Sequence, residues 1–178
     1  MTRKELIDTL IRYVAFNSHE EKMKSRFLTF VRNNEDCFKR ELLIGHLTAS
    51  CWVMNEKKDE VLLIHHVKLD KWLQPGGHCD RDENVYRVAK KELEEETGLI
   101  PILDNNSIFD LDIHTIPERK GIAEHEHFDI RFLFVVNRLD ELVYNHETKG
   151  MKWLKLNDIS NYNSEESVLR MRDKVNIN

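Results

Sequence analysis

The run GGHCDRDENVYRVAKKELEEETGL constrains the fold of this chain more than any other part of its sequence. Taken as a helix over residues 84–97, with about 100° of rotation per residue, it gathers its apolar residues on one side. These apolar residues are Val85, Val88, Ala89 and Leu93. Glu92, Glu95 and Glu96 fall on the same side, so the pattern directs three carboxylates toward the expected core.

The three glutamates should repel one another unless a positive group lies among them. They stand at positions i, i+3 and i+4, and two charges about 6 Å apart repel by roughly 3 kcal/mol at an effective dielectric of about 20. An acidic run is more often a solvated helix face, but only Glu94, with Lys90 one turn before it, fits that alternative. Clustered carboxylates without sulfur ligands suit Mg²⁺ or Mn²⁺, which also bind substrate phosphates. The helix therefore predicts a metal-dependent enzyme that acts on phosphates.

The residues on either side of the helix strengthen this prediction. The Pro-Gly-Gly sequence at 75–77 predicts a turn in which glycines reach positive φ and let the backbone approach an ion or a phosphate. Asp80 and Glu83 have the spacing of a capping box, and Gly98 is the expected left-handed stop. Both ends of the predicted helix are therefore marked.

The fixed positions of this run resemble the box of the Nudix hydrolases. That box reads glycine, five residues, Glu, seven residues, Arg-Glu-aliphatic, one residue, Glu-Glu, one residue, Gly-aliphatic. The match extends from Gly77 to Leu99 and departs from the pattern once, where Lys91 stands in place of the arginine. The resemblance implies the α/β (α+β) class and an α/β/α sandwich with a mixed β-sheet. It also implies a hydrolase that cleaves nucleoside diphosphates linked to a second moiety.

The same resemblance implies which residues form the site. The candidate ligands of a divalent ion, Mg²⁺ or Mn²⁺, are Gly77 through its backbone carbonyl and the side chains of Glu92, Glu95 and Glu96. The three glutamates are also the candidate catalytic residues, and Lys91 and Glu83 are expected to orient them. The general base would be a glutamate of the box, such as Glu92, or one from a later loop, and this choice stays open.

Composition and charge favour one enzyme domain with a small ligand. The 178 residues suit a domain that buries roughly 70% of its unfolded surface. The formal net charge of −5 argues against a nucleic-acid surface, because phosphate backbones require a basic stripe. The expected partner is instead a nucleotide-diphosphate substrate, held by a metal ion and a few cations.

The cysteines and the first residues indicate the compartment. Cys37, Cys51 and Cys79 are odd in number and lack metal-ligand spacing. The start MTRKELIDTL lacks the apolar stretch of a signal peptide, and no apolar run approaches membrane-spanning length. We therefore expect a cytoplasmic protein without a membrane partner.

Two helical patterns precede the box and predict an N-terminal helical extension over residues 1–35, followed by a Nudix-like hydrolase domain over residues 36–178. Thr2 before Glu5, and Ser18 before Glu21, have the spacing of helix starts. The extension could pack on the sandwich, form a homodimer contact or act as a lid over the substrate, and the sequence does not choose among these roles.

Short strands dominate the rest of the chain. The predicted strands are 46–54, 61–66, 108–115, 127–136 and 151–156, with extended chain at 72–74 and a closing helix at 164–175. Two of these strands carry polar residues at alternate positions, which are Asp110, Asp112 and His114 on one and His127, Asp129 and Arg131 on the other. If they form a hairpin, its polar face is either solvated or borders the substrate.

The loop between these two strands supplies further candidates for substrate binding. Arg119 and Lys120 are candidates to hold phosphate, and Glu124 or Glu126 are candidates to reach the metal ion. They follow from the expected position of the loop beside the polar face of the hairpin.

Nine histidines raise the hypothesis of a zinc site, above all His125 and His127, which share one face of a strand. Against it, no His-Glu-x-x-His motif is present, and a histidine on a strand is more often part of the surface or the core. We therefore favour the carboxylate site over a histidine site.

Two other functions are compatible with the same resemblance. A non-catalytic module that senses a nucleotide diphosphate would use the same pocket, although binding alone gives no reason to keep the repelling carboxylates. A prenyl diphosphate isomerase would need a suitable cysteine, and Cys79 is the only convincing candidate. The sequence does not identify the moiety that is linked to the nucleoside diphosphate.

Replacing Lys91 with Arg tests the departure from the family pattern. Arginine offers a planar fork to a carboxylate where lysine offers a point charge, so the substitution should change turnover only modestly and leave metal dependence intact. Steady-state rates at several Mg²⁺ concentrations provide the measurement. Complete loss of activity in Lys91→Arg would contradict the orienting role.

Overall fold

The structure, a computed structural model, describes residues 1–103, 105–119 and 121–177. In chain order its elements are α1 (Arg3–Arg12), α2 (Ser18–Asn33), β1 (Gly45–Met54), β2 (Glu60–His66), β3 (Trp72–Leu73), β4 (Gly76–His78), α3 (Val85–Thr97), β5 (Ile108–Ile116), β6 (His125–Val135), β7 (Thr148–Lys155), a 3₁₀ helix (Leu156–Asn161) and α4 (Glu166–Ile177). Helices cover both faces of one mixed sheet, which confirms the predicted α/β/α sandwich with its N-terminal helices. Within the described ranges, no helix combines the length and the apolarity needed to cross a membrane.

The sheet is organised around β1. Its main path runs β3-β2-β1-β6-β5, with β4 also paired to β1 and β7 paired to β2. The pair β1 and β6 is parallel from Gly45↔Glu126 to Met54↔Val135, and the other pairs are antiparallel. The sequence patterns located the longer strands. They did not predict β4, because three residues with two glycines show no alternation.

Each face of the sheet has its own apolar core. On one face, Leu6 of α1, Phe27 of α2 and Leu93 of α3 are fully buried against the sheet. On the other face, Trp52 and Met171 belong to a smaller core beneath the 3₁₀ helix and α4. The N-terminal helices therefore contribute to the same core that positions α3.

The starts of the first two helices follow local rules. Thr2 and Glu5 form the predicted capping box, with Glu5 N donating to Thr2 Oγ1 and Thr2 N donating to Glu5 Oε2. The second helix is capped by Asn17 rather than by Ser18, because the Asn17 side chain accepts from Glu20 N. Asparagine reaches this amide as well as serine does, so the start moves by one residue.

Helix α3 also begins differently from the prediction. Its cap is Asn84, whose side chain accepts from Arg87 N, so Asp80 and Glu83 do not form the expected capping box. Asp80 lies in the preceding turn at φ 47°, outside the helix. The predicted stop is confirmed, because Gly98 adopts the left-handed conformation at φ 76°.

Strands β5 and β6 form the predicted hairpin, and its polar face is buried rather than solvated. Asp110 pairs with Arg131 and Asp112 with Asp129 across the ladder. Asp110, Asp112, Asp129 and Arg131 are all at most 8% exposed, and Arg170 of α4 completes the group from above the sheet. Arg131 binds all three aspartates at 2.8 to 3.2 Å, and Arg170 binds two of them at 2.8 to 3.1 Å. We call these five residues the buried ion network.

The arginines of the buried ion network favour the ionised forms of Asp110 and Asp112. Burial alone would raise the pKa of Asp112, but Arg131, His114 and Arg170 together outweigh it and lower that pKa well below its ordinary value. The hydroxyls of Thr48 and Ser50 donate to Asp129 at 3.0 and 2.7 Å. The network therefore attaches α4 to the sheet through charges that are paired and hydrogen-bonded.

Arg131→Met should destabilise the protein strongly. Methionine leaves buried aspartates without their main countercharge, so we expect the free energy of unfolding in urea to fall by about 3–5 kcal/mol. Arg87→Met is the control, because Arg87 pairs with Asp82 at the surface with its side chain 67% exposed, and it should have a far smaller effect. Equal losses in the two variants would contradict a stabilising role for Arg131.

Candidate active site

The site forms where β4 meets α3. The backbone N of Gly76 donates to Glu96 Oε2 at 2.9 Å. The carboxyl of Glu92 lies against Gly77 so closely that a Cβ at this position would come within 2.7 and 2.8 Å of its two oxygens. Gly77 is therefore needed because the carboxyl occupies the space of a side chain. The structure brings Gly77, Glu92 and Glu96 together as the sequence predicted.

The predicted positive φ at Gly76 and Gly77 is wrong. Both glycines are part of β4, where they pair with Ser50 and Ala49 of β1 in an extended conformation. A Cβ at Gly76 would lie 2.3 Å from the Ser50 Cβ, so close packing between strands excludes a side chain there too. Close approach, and not left-handed geometry, explains this pair of glycines.

Burial and mutual repulsion make the two carboxyl groups hard to ionise. Glu96 is 4% exposed, and burial followed by repulsion from Glu92 and Glu147 raises its pKa to about 7, although the Gly76 hydrogen bond opposes this. Burial and the charge of Glu95 likewise raise the pKa of Glu92. A cation at this position would relieve both effects, and carboxylate oxygens are the ligands that Mg²⁺ and Mn²⁺ prefer. The donor set fits a hard divalent ion.

The third glutamate of the box stands apart from this pair. Glu95 has a side chain 54% exposed, and its carboxylate lies 3.3 Å from Lys91 Nζ. Its charge still raises the pKa values of Glu92 and Glu96. The roles of Glu95 as a metal ligand and of Lys91 as an orienting residue stay predictions.

Glu83 lies at the start of the box and contacts the first helix. Its carboxylate accepts from the backbone N of Arg3 at 2.9 Å, and the Arg3 guanidinium donates to the carbonyl oxygens of Val31 and Arg32. Glu83 thus connects the box with α1 and α2, and its proposed orienting role stays a prediction.

The sequence did not predict two charged residues that lie near the site. Glu147, which comes just before β7, raises the pKa values of Glu92 and Glu96 and is itself paired with Lys68 at 2.5 Å. Arg40 lies in the loop after α2, and its Nε donates to Asp80 at 2.5 Å. This hydrogen bond and, to a smaller extent, the charge of Glu92 raise the pKa of Arg40. Both residues lie in irregular segments, and they reach the site only through the fold.

The hairpin loop places its candidates apart from one another. Arg119 and Glu124 are exposed, and Arg119 exchanges backbone hydrogen bonds of 3.0 Å with Ile122. Glu126 faces α2, where its two carboxylate oxygens accept from Arg26 at 2.7 and 2.6 Å. Lys120 lies outside the described residues. The substrate roles of these four residues stay predictions.

Glu96 should make the metal-free protein less stable as the pH rises. The pKa of an ordinary glutamate is 4.5, and the pKa of Glu96 in the folded protein is about 7. The contribution of the protonated Glu96 to the free energy of unfolding is therefore complete below pH 4.5 and is lost as the pH rises through 7. In a chelator, Glu96→Gln should therefore gain up to about 3 kcal/mol relative to the wild type on going from about pH 5 to about pH 8.

Urea unfolding of both proteins at the two pH values measures this difference. Glu94→Gln is the matched control, because Glu94 is exposed on the same helix, and it should keep the pH dependence of the wild type. A wild-type pH dependence in Glu96→Gln would contradict the raised pKa of Glu96.

Known proteins are similar to this chain in the sequence and the fold around the site. Phosphatase NudJ from Escherichia coli strain K12 is 32% identical over 93 residues, which are 51% of this chain and 54% of the relative. The chain thus spans about half the length of the curated relatives that it matches.

Two solved structures have the same architecture. A NUDIX family hydrolase from Clostridium perfringens aligns with a TM-score of 0.56 and 25% identity, over 74% of this chain and 97% of that one. A MutT protein from Methanosarcina mazei Go1 aligns with a TM-score of 0.58 and 21% identity, over 75% of this chain and 91% of that one. The sequence model of the NUDIX domain matches residues 45–173, which include the whole candidate site except the N-terminal contacts and Arg40. The chain therefore belongs to the Nudix hydrolase family.

Proposed function

We propose that this protein is a metal-dependent hydrolase that cleaves the diphosphate linkage of a nucleoside diphosphate joined to another moiety, by attack of water at phosphorus. The observation that supports this most directly is the convergence of the half-buried Glu92 and the buried Glu96 carboxyls on the backbone of β4. A purely structural acidic pair would lower the stability of the fold and gain nothing in return.

Glu92 and Glu96 would hold Mg²⁺ or Mn²⁺, with Glu95 and the Gly77 carbonyl as the further ligands. When bound, the ion would neutralise charge on the phosphoryl oxygens and position the diphosphate. The Gly76 amide fixes one oxygen of Glu96, so this side chain is oriented before the ion arrives. Pre-orientation of this kind reduces the reorganisation that the reaction requires.

The chain's own residues would also bind substrate and move a proton. Arg40, already positioned beside Asp80 and near Glu92, is a candidate to contact a phosphate of the anionic substrate. Arg119 and Lys120 remain candidates for the same task from the hairpin loop. Glu92, or a glutamate between residues 118 and 126, would accept the proton of the attacking water.

The proposal includes the domain organisation and the compartment. Residues 1–35 would be a helical extension of the hydrolase domain at 36–178, since Leu6, Leu10 and Phe27 complete the core beneath α3. The three cysteines are buried and free, which fits the reducing cytoplasm.

Glu96→Gln should remove most of the turnover while the fold persists, because the change deletes a metal ligand without creating a cavity. Loss of several kcal/mol of transition-state stabilisation corresponds to a fall of about 100-fold or more in kcat. The assay follows product release from nucleotide sugars, dinucleoside polyphosphates, nucleoside triphosphates and ADP-ribose, each with Mg²⁺ and with Mn²⁺.

Glu94→Gln, on the exposed side of α3, is the control and should keep the wild-type rate. Wild-type turnover in Glu96→Gln would contradict the mechanism. Binding of a nucleotide diphosphate by the wild type without product release in either metal would instead support the sensing module.

A further inference from the structure

Five histidines from four strands gather on one face at one end of the sheet. They are His46 of β1, His78 of β4, His114 of β5, and His125 and His127 of β6. The register brings them together, because His127 pairs with both His46 and His114. His125 lies two residues before His127 on the same strand and therefore on the same face. His78 pairs with Thr48, two residues beyond His46, and so joins this face as well.

The rings in this histidine cluster are in direct contact. The His46 ring centroid lies 4.7 Å from that of His127 and 5.1 Å from that of His125, and the His125 and His127 centroids are 5.3 Å apart. One ring nitrogen from each of these three residues lies within 4.8 Å of the other two. Tetrahedral zinc bonded to nitrogens at about 2.0–2.1 Å requires nitrogens roughly 3.4 Å apart, so small side-chain rotations would complete the geometry.

Several nitrogens of the cluster are buried and make no hydrogen bond of normal distance and angle within the described part of the chain. His46 is 3% exposed, and this holds for both of its ring nitrogens. The same holds for the buried Nε2 atom of His127. A buried polar atom without a partner costs about 1–3 kcal/mol, so this arrangement needs a compensating ligand.

The protonation of these rings suits a metal ion. The carbonyl of Ala123 can only accept, so His125 donates to it from Nδ1 at 2.9 Å and keeps a lone pair on Nε2. Burial, and then the neighbouring imidazoles, lower the pKa of His46 to about 4 and also lower that of His127. Both rings are therefore neutral at neutral pH, the form in which imidazole binds metals.

We propose that His46, His125 and His127 form a second metal site, for a divalent transition ion such as Zn²⁺. Imidazole nitrogens prefer such ions, whereas the carboxylates of α3 prefer Mg²⁺ or Mn²⁺, so the two sites differ in ligand chemistry. Three histidines leave a fourth position, which water or His78 would fill, since the His78 ring lies 5.1 Å from His46 and 5.0 Å from His127.

An ion at this site would connect two distant parts of the chain. It would join the first residues of β1 to the first residues of β6, directly after the hairpin loop. The loop that carries the substrate candidates would then be anchored at its base. His78 follows Gly77 directly in β4, so its side chain projects from the face of the strand opposite to the one that the Glu92 carboxyl contacts.

The test uses the chain of 178 residues, stripped of metal, with the double substitution Glu92→Gln and Glu96→Gln to remove the carboxylate site. Titration with Co²⁺ should give the visible absorption of a four-coordinate ion, and Zn²⁺ should displace it at one equivalent. Zn²⁺ at a hundredfold excess over its Kd should raise the Tm by about 5–10 °C. Neither readout involves hydrolysis, so failure of the proposed function would not affect the result.

His125→Ala and His127→Gln are each added to this background. Loss of a residue that only hydrogen-bonds a metal ligand weakens metal binding about 10- to 100-fold, and each of these variants should weaken Zn²⁺ binding by more than that. His125 is only half-buried, so its variant tests the site even if His127→Gln fails to fold. His146→Ala is the control, because the His146 side chain is 91% exposed and outside the cluster. The proposal is overturned if the background protein fails to bind Zn²⁺, or if His125→Ala binds it with unchanged affinity.

Discussion

The contact between β4 and α3 is the constraint on which the candidate active site depends. Gly76 and Gly77 have no side chains, so strand and helix approach until the Glu92 carboxyl rests on the backbone and Glu96 accepts an amide hydrogen bond. The helix and the strand are thus fixed to each other by the same atoms that would receive a metal ion. Packing and chemistry share one set of residues here, which limits the substitutions that either can tolerate.

Charge is arranged differently on the two faces of the sheet. Beneath α4, each buried aspartate meets an arginine, and the buried ion network is compensated within the protein. Beside α3, Glu92 and Glu96 face further carboxylates, and their charges are compensated only in part. The first arrangement leaves its charges paired, whereas the second would become more favourable if a cation were bound.

The sequence predicted what local rules determine. Helical spacing located α3 and its glutamates, and Gly98 marked the stop, because these signals lie within one turn or one motif. Glu147 and Arg40 could not be found in this way, since they reach the site from irregular segments. The full histidine cluster could not be predicted for a related reason. His125 and His127 were visible as a pair, but the partner His46 depends on the parallel register of β1 and β6.

That same parallel register has a consequence for synthesis on the ribosome. All ten residues of β1 are buried, and the ten-residue pairing with β6 runs along the full length of the strand. The chain emerges from its N-terminus, so β1 is complete long before residues 125–135 leave the exit tunnel. During this interval the edge of β1 that pairs with β6 is unpaired, while β2 and β4 can pair only with its other edge. A chain that ends before β6 would therefore expose this edge to pairing with strands of other chains.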